Sequence, residues 1–131
     1  MRTIFFAILL TLFLGGSISV EAKKPKEIKV QIHQQKRVPG TKLTVKFLEL
    51  AEDSRCPTGV NCIWEGNAKI KIQISRNGKA AKTLELNSNL PNKDVIFEGH
   101  EFKLTALTPH PGANIRINPN GYIATIEIVK K

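Results

Sequence analysis

Along most of the chain apolar residues alternate with polar ones, the two-residue period of a half-buried β-strand. In "EIKVQIH", Ile28, Val30 and Ile32 share one face, while Lys29, Gln31 and His33 share the other. In "KLTVKFLEL", Leu43, Val45 and Phe47 point one way, and Leu48 and Leu50 then fall on the opposite side. That break in phase predicts a bulge, or a strand end buried on both faces. The strictest alternation is in "NAKIKIQIS", where Ala68, Ile70, Ile72 and Ile74 are separated by Lys69, Lys71 and Gln73. "RNGK" follows, and Asn77-Gly78 suits the positive φ angles of a type I′ turn, which predicts a tight hairpin into "AAKTLEL". "DVIF" is a short strand, "EFKLTAL" a stronger one, and "GYIATIEIV" closes the chain with Tyr122, Ala124, Ile126 and Ile128 on one face. No window carries the 3.6-residue apolar stripe of an amphipathic helix.

About seven strands without helices predict an all-β fold, an antiparallel β-sandwich. An immunoglobulin-like arrangement is one form of it, since "NGYIA" loosely resembles the tyrosine-corner region of such domains, with Ala124 at the core position. The Pro/Gly/Asn-rich stretch 108–121 is expected to be a surface loop, with "PNKD" and "PHPG" as turns and "KKPKE" as a frayed basic arm.

The first residues change the picture by setting a compartment. Arg2 precedes the apolar run "IFFAILLTLFL", and small residues precede "SVEA". This is the layout of a secretory signal peptide, with Val20 and Ala22 at the small-x-small positions, so cleavage is expected after Ala22. The run of 11 residues is short against the ~20 needed to span a bilayer. The expected organisation is a signal peptide over 1–22 and a single β-sandwich domain over 23–131, secreted to the periplasm or beyond the cell. No transmembrane segment is expected after cleavage.

Cleavage removes Arg2 and Glu21 together, so the net charge of +9 is kept. A basic exported protein suits anionic lipid, envelope polymer, polysaccharide or an acidic protein. The plainer reading is solubility, because the lysines are dispersed along solvent faces of strands and form no block.

Both cysteines and the single tryptophan lie in "DSRCPTGVNCIWEG", residues 53–66, between two predicted strands. Cys56 and Cys62 enclose "PTGVN", whose Pro57 and Gly59 let the chain double back. Export permits a disulfide, and two cysteines allow one intramolecular pairing, Cys56–Cys62. The spacing lacks the C-x-x-C of thioredoxin-like catalysts, and His33, His100 and His110 are too scattered in sequence to complete a zinc site. Trp64 reads in two ways: as a structural ring over the disulfide or the end of the sandwich, or as part of a contact patch. Arg55, Pro57, Thr58, Gly59, Val60 and Asn61 would share that patch on a pre-stiffened loop. Arg55 also sits among Glu52, Asp53 and Glu65, where a local ion pair is the simpler role.

"DSRCPTGVNCIWEGNA" resembles a D-S-R-C-P-x4-C-x-W-x-G-x-A pattern of small exported bacterial β-sandwich proteins. Asp53, Ser54, Arg55, Cys56, Pro57, Cys62, Trp64, Gly66 and Ala68 match it. The resemblance implies compartment and fold; that family supplies no chemistry. None of the serines lies in a nucleophile motif, so no enzymatic activity, metal or cofactor is expected. The function expected is binding of a protein or cell-envelope partner through the disulfide loop. The alternative is an accessory envelope protein held on anionic polymers by its charge. Export and the lack of aromatic-basic motifs argue against nucleic acid as a partner. The oligomeric state is open.

Overall fold

In the computed structural model the described residues are 15–16, 24–79, 81–90, 94–112 and 116–131. The predicted signal peptide and its cleavage site after Ala22 lie outside them, apart from Gly15 and Gly16, as does most of "PNKD". Among the described residues no helix is long and apolar enough to cross a membrane.

Among the described residues eight strands form: β1 (Lys26–Gln31), β2 (Gln35–Arg37), β3 (Leu43–Asp53), β4 (Ala68–Arg76), β5 (Lys82–Asn87), β6 (Val95–Phe97), β7 (His100–Thr108) and β8 (Ile123–Lys130). They make two four-stranded antiparallel sheets, β1-β8-β7-β6 and β2-β3-β4-β5. The alternating residues meet between the sheets. Ile28, Val30, Phe102, Leu104, Ala124, Ile126 and Ile128 from one sheet are buried against Val45, Phe47, Ile70, Ile72, Ile74 and Leu86 from the other.

The break of phase in β3 is a bulge. Phe47 pairs with Ile72 and Glu49 with Lys71, so Leu48 is the extra residue. Its insertion flips the parity, turns Glu49 outward and brings Leu50 opposite Ile70 and onto the core. A second register shift follows between Leu50 and Glu52, and β7 does the same around Thr105. Leu104 and Leu107 therefore both point inward despite their odd spacing. Asn77 and Gly78 take φ of 52° and 69°, and the Lys79 N–H donates to the Arg76 carbonyl at 2.9 Å, the expected type I′ turn.

Three expectations are corrected. The eighth strand, β2, has no buried residue, so it leaves no alternation to read. It forms because the chain turns at His33 (φ 69°) from β8 to β3: Ile32 N–H donates to Tyr122 O, and His33 N–H to Phe47 O. The sheets are not immunoglobulin-like. There, strands from distant parts of the chain alternate between the sheets. Here β2 to β5 follow one another in one sheet and β6 to β8 in the other, with β1 closing beside β8. Lastly, the basic arm is ordered from Lys26, which pairs with Ile128.

The candidate site: a braced loop at one end of the sandwich

Residues 54–67 leave the end of β3 and return at the start of β4, with Cys56 and Cys62 joined by a disulfide, Cα atoms 5.9 Å apart. A bond of this kind fits an oxidising compartment. The stem of the loop is a narrow crossing. Ser54 N–H donates to Asn67 O at 2.8 Å and Cys56 N–H to Glu65 O at 2.9 Å. The Ser54 hydroxyl donates to Asn67 O and accepts from Asn67 N–H. Gly66 sits in this crossing with φ +74°, and a Cβ there would lie 1.8 Å from Ser54 O. Only glycine lets the two strands of the stem approach so closely.

Asn67 ties the stem to the neighbouring strand. It is 3% exposed, and its amide donates to Asn87 Oδ1 at 3.0 Å and accepts from Asn89 N–H at 3.0 Å. Both side-chain heteroatoms of a buried amide are thus satisfied, as burial demands. Asn89 adds a bond to Gly66 O, and Ser88 bonds Ala68 on both sides.

Arg55 braces the loop against the other sheet. Its side chain is 9% exposed. Nε and Nη2 grip Asp53 Oδ1 and Oδ2, each at 2.8 Å, while Nη1 donates to Leu107 O and Nη2 to Pro109 O. Burial raises the Asp53 carboxyl, but the hydrogen bonds and charge of Arg55, helped by His110, outweigh it and hold the group below its ordinary value. His110 Nε2 lies 2.7 Å from Cys56 O, which accepts, so this nitrogen carries the proton. Thr58 N–H donates to Pro111 O at 2.9 Å, next to a parallel pairing of Thr58 with Gly112. Of the stretch expected as a surface loop over 108–121, Thr108 closes β7, and residues 109–112 lie beside the disulfide loop as a second wall bonded to it.

The predicted site residues thus divide. Arg55 belongs to the scaffold: its guanidinium is committed to Asp53, Leu107 and Pro109, which corrects its expected place in the contact patch. Pro57 is half-buried at the base. Thr58, Gly59, Val60, Asn61 and Trp64 are at the surface. Trp64 is 63% exposed and outside the core cluster, so it is not a core residue. Sequence reasoning missed Ile63, 106% exposed, and gave no weight to Val60 as an apolar group, 46% exposed. The available signal was a pair of large apolar residues, Ile63-Trp64, inside turn material with no alternation to bury them. Also missed were His110 and Asn67, whose roles depend on contacts across 54 and 20 residues.

Chemically, the loop offers apolar surface and backbone groups. Among the described residues no cluster of three or more His, Cys, Asp or Glu is placed to hold a metal ion. No family model, curated protein or solved structure matches this chain.

Proposed function

We propose that this is an exported, non-catalytic domain that binds a protein or cell-envelope partner through the tip of the disulfide loop. The observation that carries the reading is the exposure of Val60, Ile63 and Trp64 on one braced loop of five successive positions, 60–64. Large apolar side chains mostly in solvent stabilise the folded chain little, and tryptophan is among the residues that most often dominate binding energy. The disulfide and the Arg55 clamp fix the loop beforehand, which lowers the ordering cost of binding. The predicted signal peptide and the disulfide support the exported location.

The test is binding of the mature protein to envelope extract, comparing wild type with Trp64→Ala and Ile63→Ser. Loss of a hot-spot contact raises Kd by about 30-fold, from ~2 kcal/mol. Folding should change little. With 37% of an aromatic surface of up to ~250 Å² hidden, Trp64→Ala costs at most about 2 kcal/mol. Capture should also survive moderate salt, whereas adsorption of a basic protein on anionic polymer is screened. Equal capture by wild type and both variants at a salt concentration that screens charge-driven adsorption would overturn the reading.

A further inference from the structure

The far end of the sandwich holds a cleft of about 900 Å³ that the loop does not touch. It opens where strands of both sheets end: the start of β1, the β2–β3 turn with the start of β3, the end of β4, the β6–β7 turn and the end of β8. β3 and β4 separate it from the disulfide loop. Leu43 and Arg76 stand at its edge, while Asp53 and Ala68 stand at the stem of the loop, at the other end of the same pair.

The lining is strongly one-signed. Lys24, Lys26 and Lys130 come from one sheet and Lys42 and Arg76 from the other, against a single carboxylate, Glu98. Glu98 is already held by Arg76 at 2.9 Å, and Lys26 donates across the cleft to the carbonyl of Pro39. Among the described residues Lys24, Lys42 and Lys130 have no ion pair. Leu43 and Ile128, both core residues, lie beneath the cleft and are 2% and 1% exposed. Outside the cleft Lys69, Lys71 and Lys131 are matched to Glu52, Glu49 and Glu101, while lysines such as Lys29 and Lys82 stand singly on strand faces. What sets this end apart is that five cations face one space rather than lying singly along the strands.

We propose that this cleft binds an anionic polymer, with successive phosphate or carboxylate groups along the chain bridging the cations of the two sheets. A polymer fits better than one small anion for two reasons. The cations are spread over both walls of a space far larger than a single phosphate, and the exposed lysines carry aliphatic stems that suit the backbone between charges. A cleft lined by one sign of charge also focuses the field and draws such a ligand in. The site is independent of the loop: it supplies attachment to envelope material while leaving the apolar tip at the other end free.

Binding of inorganic polyphosphate and of polygalacturonate to the full chain tests this, by titration at low and at physiological salt. Three double or single variants are compared: Lys42→Ala/Lys130→Ala in the cleft, Lys29→Ala/Lys82→Ala on strand faces outside it, and Trp64→Ala. The two double variants have equal net charge. The cleft variant is expected to raise Kd by about tenfold, from two exposed ion contacts. The strand-face variant should change it less than about twofold, and Trp64→Ala not at all. All four targeted lysines are either exposed or at strand ends, so thermal unfolding should show each protein folded. Binding of one polymer alone would support the site and name its anionic group. Equal weakening by the two double variants, or no binding of either polymer at low salt, would overturn it.

Discussion

Gly66 and Gly59 form a matched pair that measures how tightly the loop stem is closed. Both have positive φ, +74° and +82°, and both lie in the disulfide segment. An added methyl at Gly59 meets nothing within 4 Å, so Gly59→Ala costs only the left-handed conformation, about 1–2 kcal/mol. At Gly66 the same methyl would lie 1.8 Å from Ser54 O, 2.6 Å from Ser54 C and 2.8 Å from Arg55 Cα. All three are backbone atoms, so no side chain can swing aside. The stem must open, and the bonds Ser54 N–H to Asn67 O and Cys56 N–H to Glu65 O are the ones that stretch. At about 1 kcal/mol each they add ~2 kcal/mol, which brings Gly66→Ala to about 3–4 kcal/mol. In a domain of this size that lowers the thermal midpoint by roughly 12–16 °C, against about 4–8 °C for Gly59→Ala. Unfolding should be followed by far-ultraviolet circular dichroism, because Trp64 is already in solvent and reports poorly on folding. If the two substitutions cost the same within about 0.5 kcal/mol, the close crossing that organises the loop does not exist.

Two further outcomes concern the brace and the disulfide. Asp53 has its carboxyl below the ordinary 3.8, so it stabilises the fold above that value and loses its contribution as pH falls through the folded value. The midpoint difference between wild type and Asp53→Asn should therefore be constant near neutrality and shrink only as pH falls below the ordinary 3.8; a gap that already shrinks well above that pH refutes the clamp. Reduction of Cys56–Cys62 should cost about 2.4 kcal/mol, the chain-entropy value for a seven-residue loop, and leave the β-sheet signal intact. Two alkylatable thiols before reduction, or global unfolding after it, would contradict this.

Much of the sandwich was legible because period-2 alternation depends on the chain alone. Ile28, Val30 and Ile32, or Ile70, Ile72 and Ile74, cannot all be buried except on one face of a strand. Even the bulge at Leu48 could be read, since the apolar pattern slips by one there. β2 could not. Its three residues are exposed, and they are strand only because the backbone of β3 offers an edge to pair with. The hairpin between β6 and β7 was hidden for another reason. It turns on Glu98 and Gly99, with φ of 50° and 72°, and glutamate is a poor advertisement for a left-handed position. Sheet order was also beyond reach, because strands of similar hydrophobicity carry no label for their neighbours.

In the disulfide segment the chain showed which residue types were gathered, but not which of them point outward. Asp53, Ser54, Arg55, Gly66 and Asn67 form a polar-rich stretch that reads like a surface, yet the structure uses them inward, on one another and on Leu107, Pro109, Asn87 and Asn89. The apolar Val60, Ile63 and Trp64, which read like candidates for burial, are in solvent. This inversion has a physical cause. A loop that leaves the end of a sandwich has no layer above it to cover apolar groups, while its stem must satisfy the backbone and side-chain polar groups that the crossing buries. Polar residues are thus required at the stem whatever the loop does. Nothing in the fold requires the tip to be apolar, and a polar tip would cost at most the ~2 kcal/mol of Trp64's hidden surface. Ile63 and Trp64 are therefore the residues whose presence the folded chain explains least, and on the proposed reading they are the ones a partner would meet.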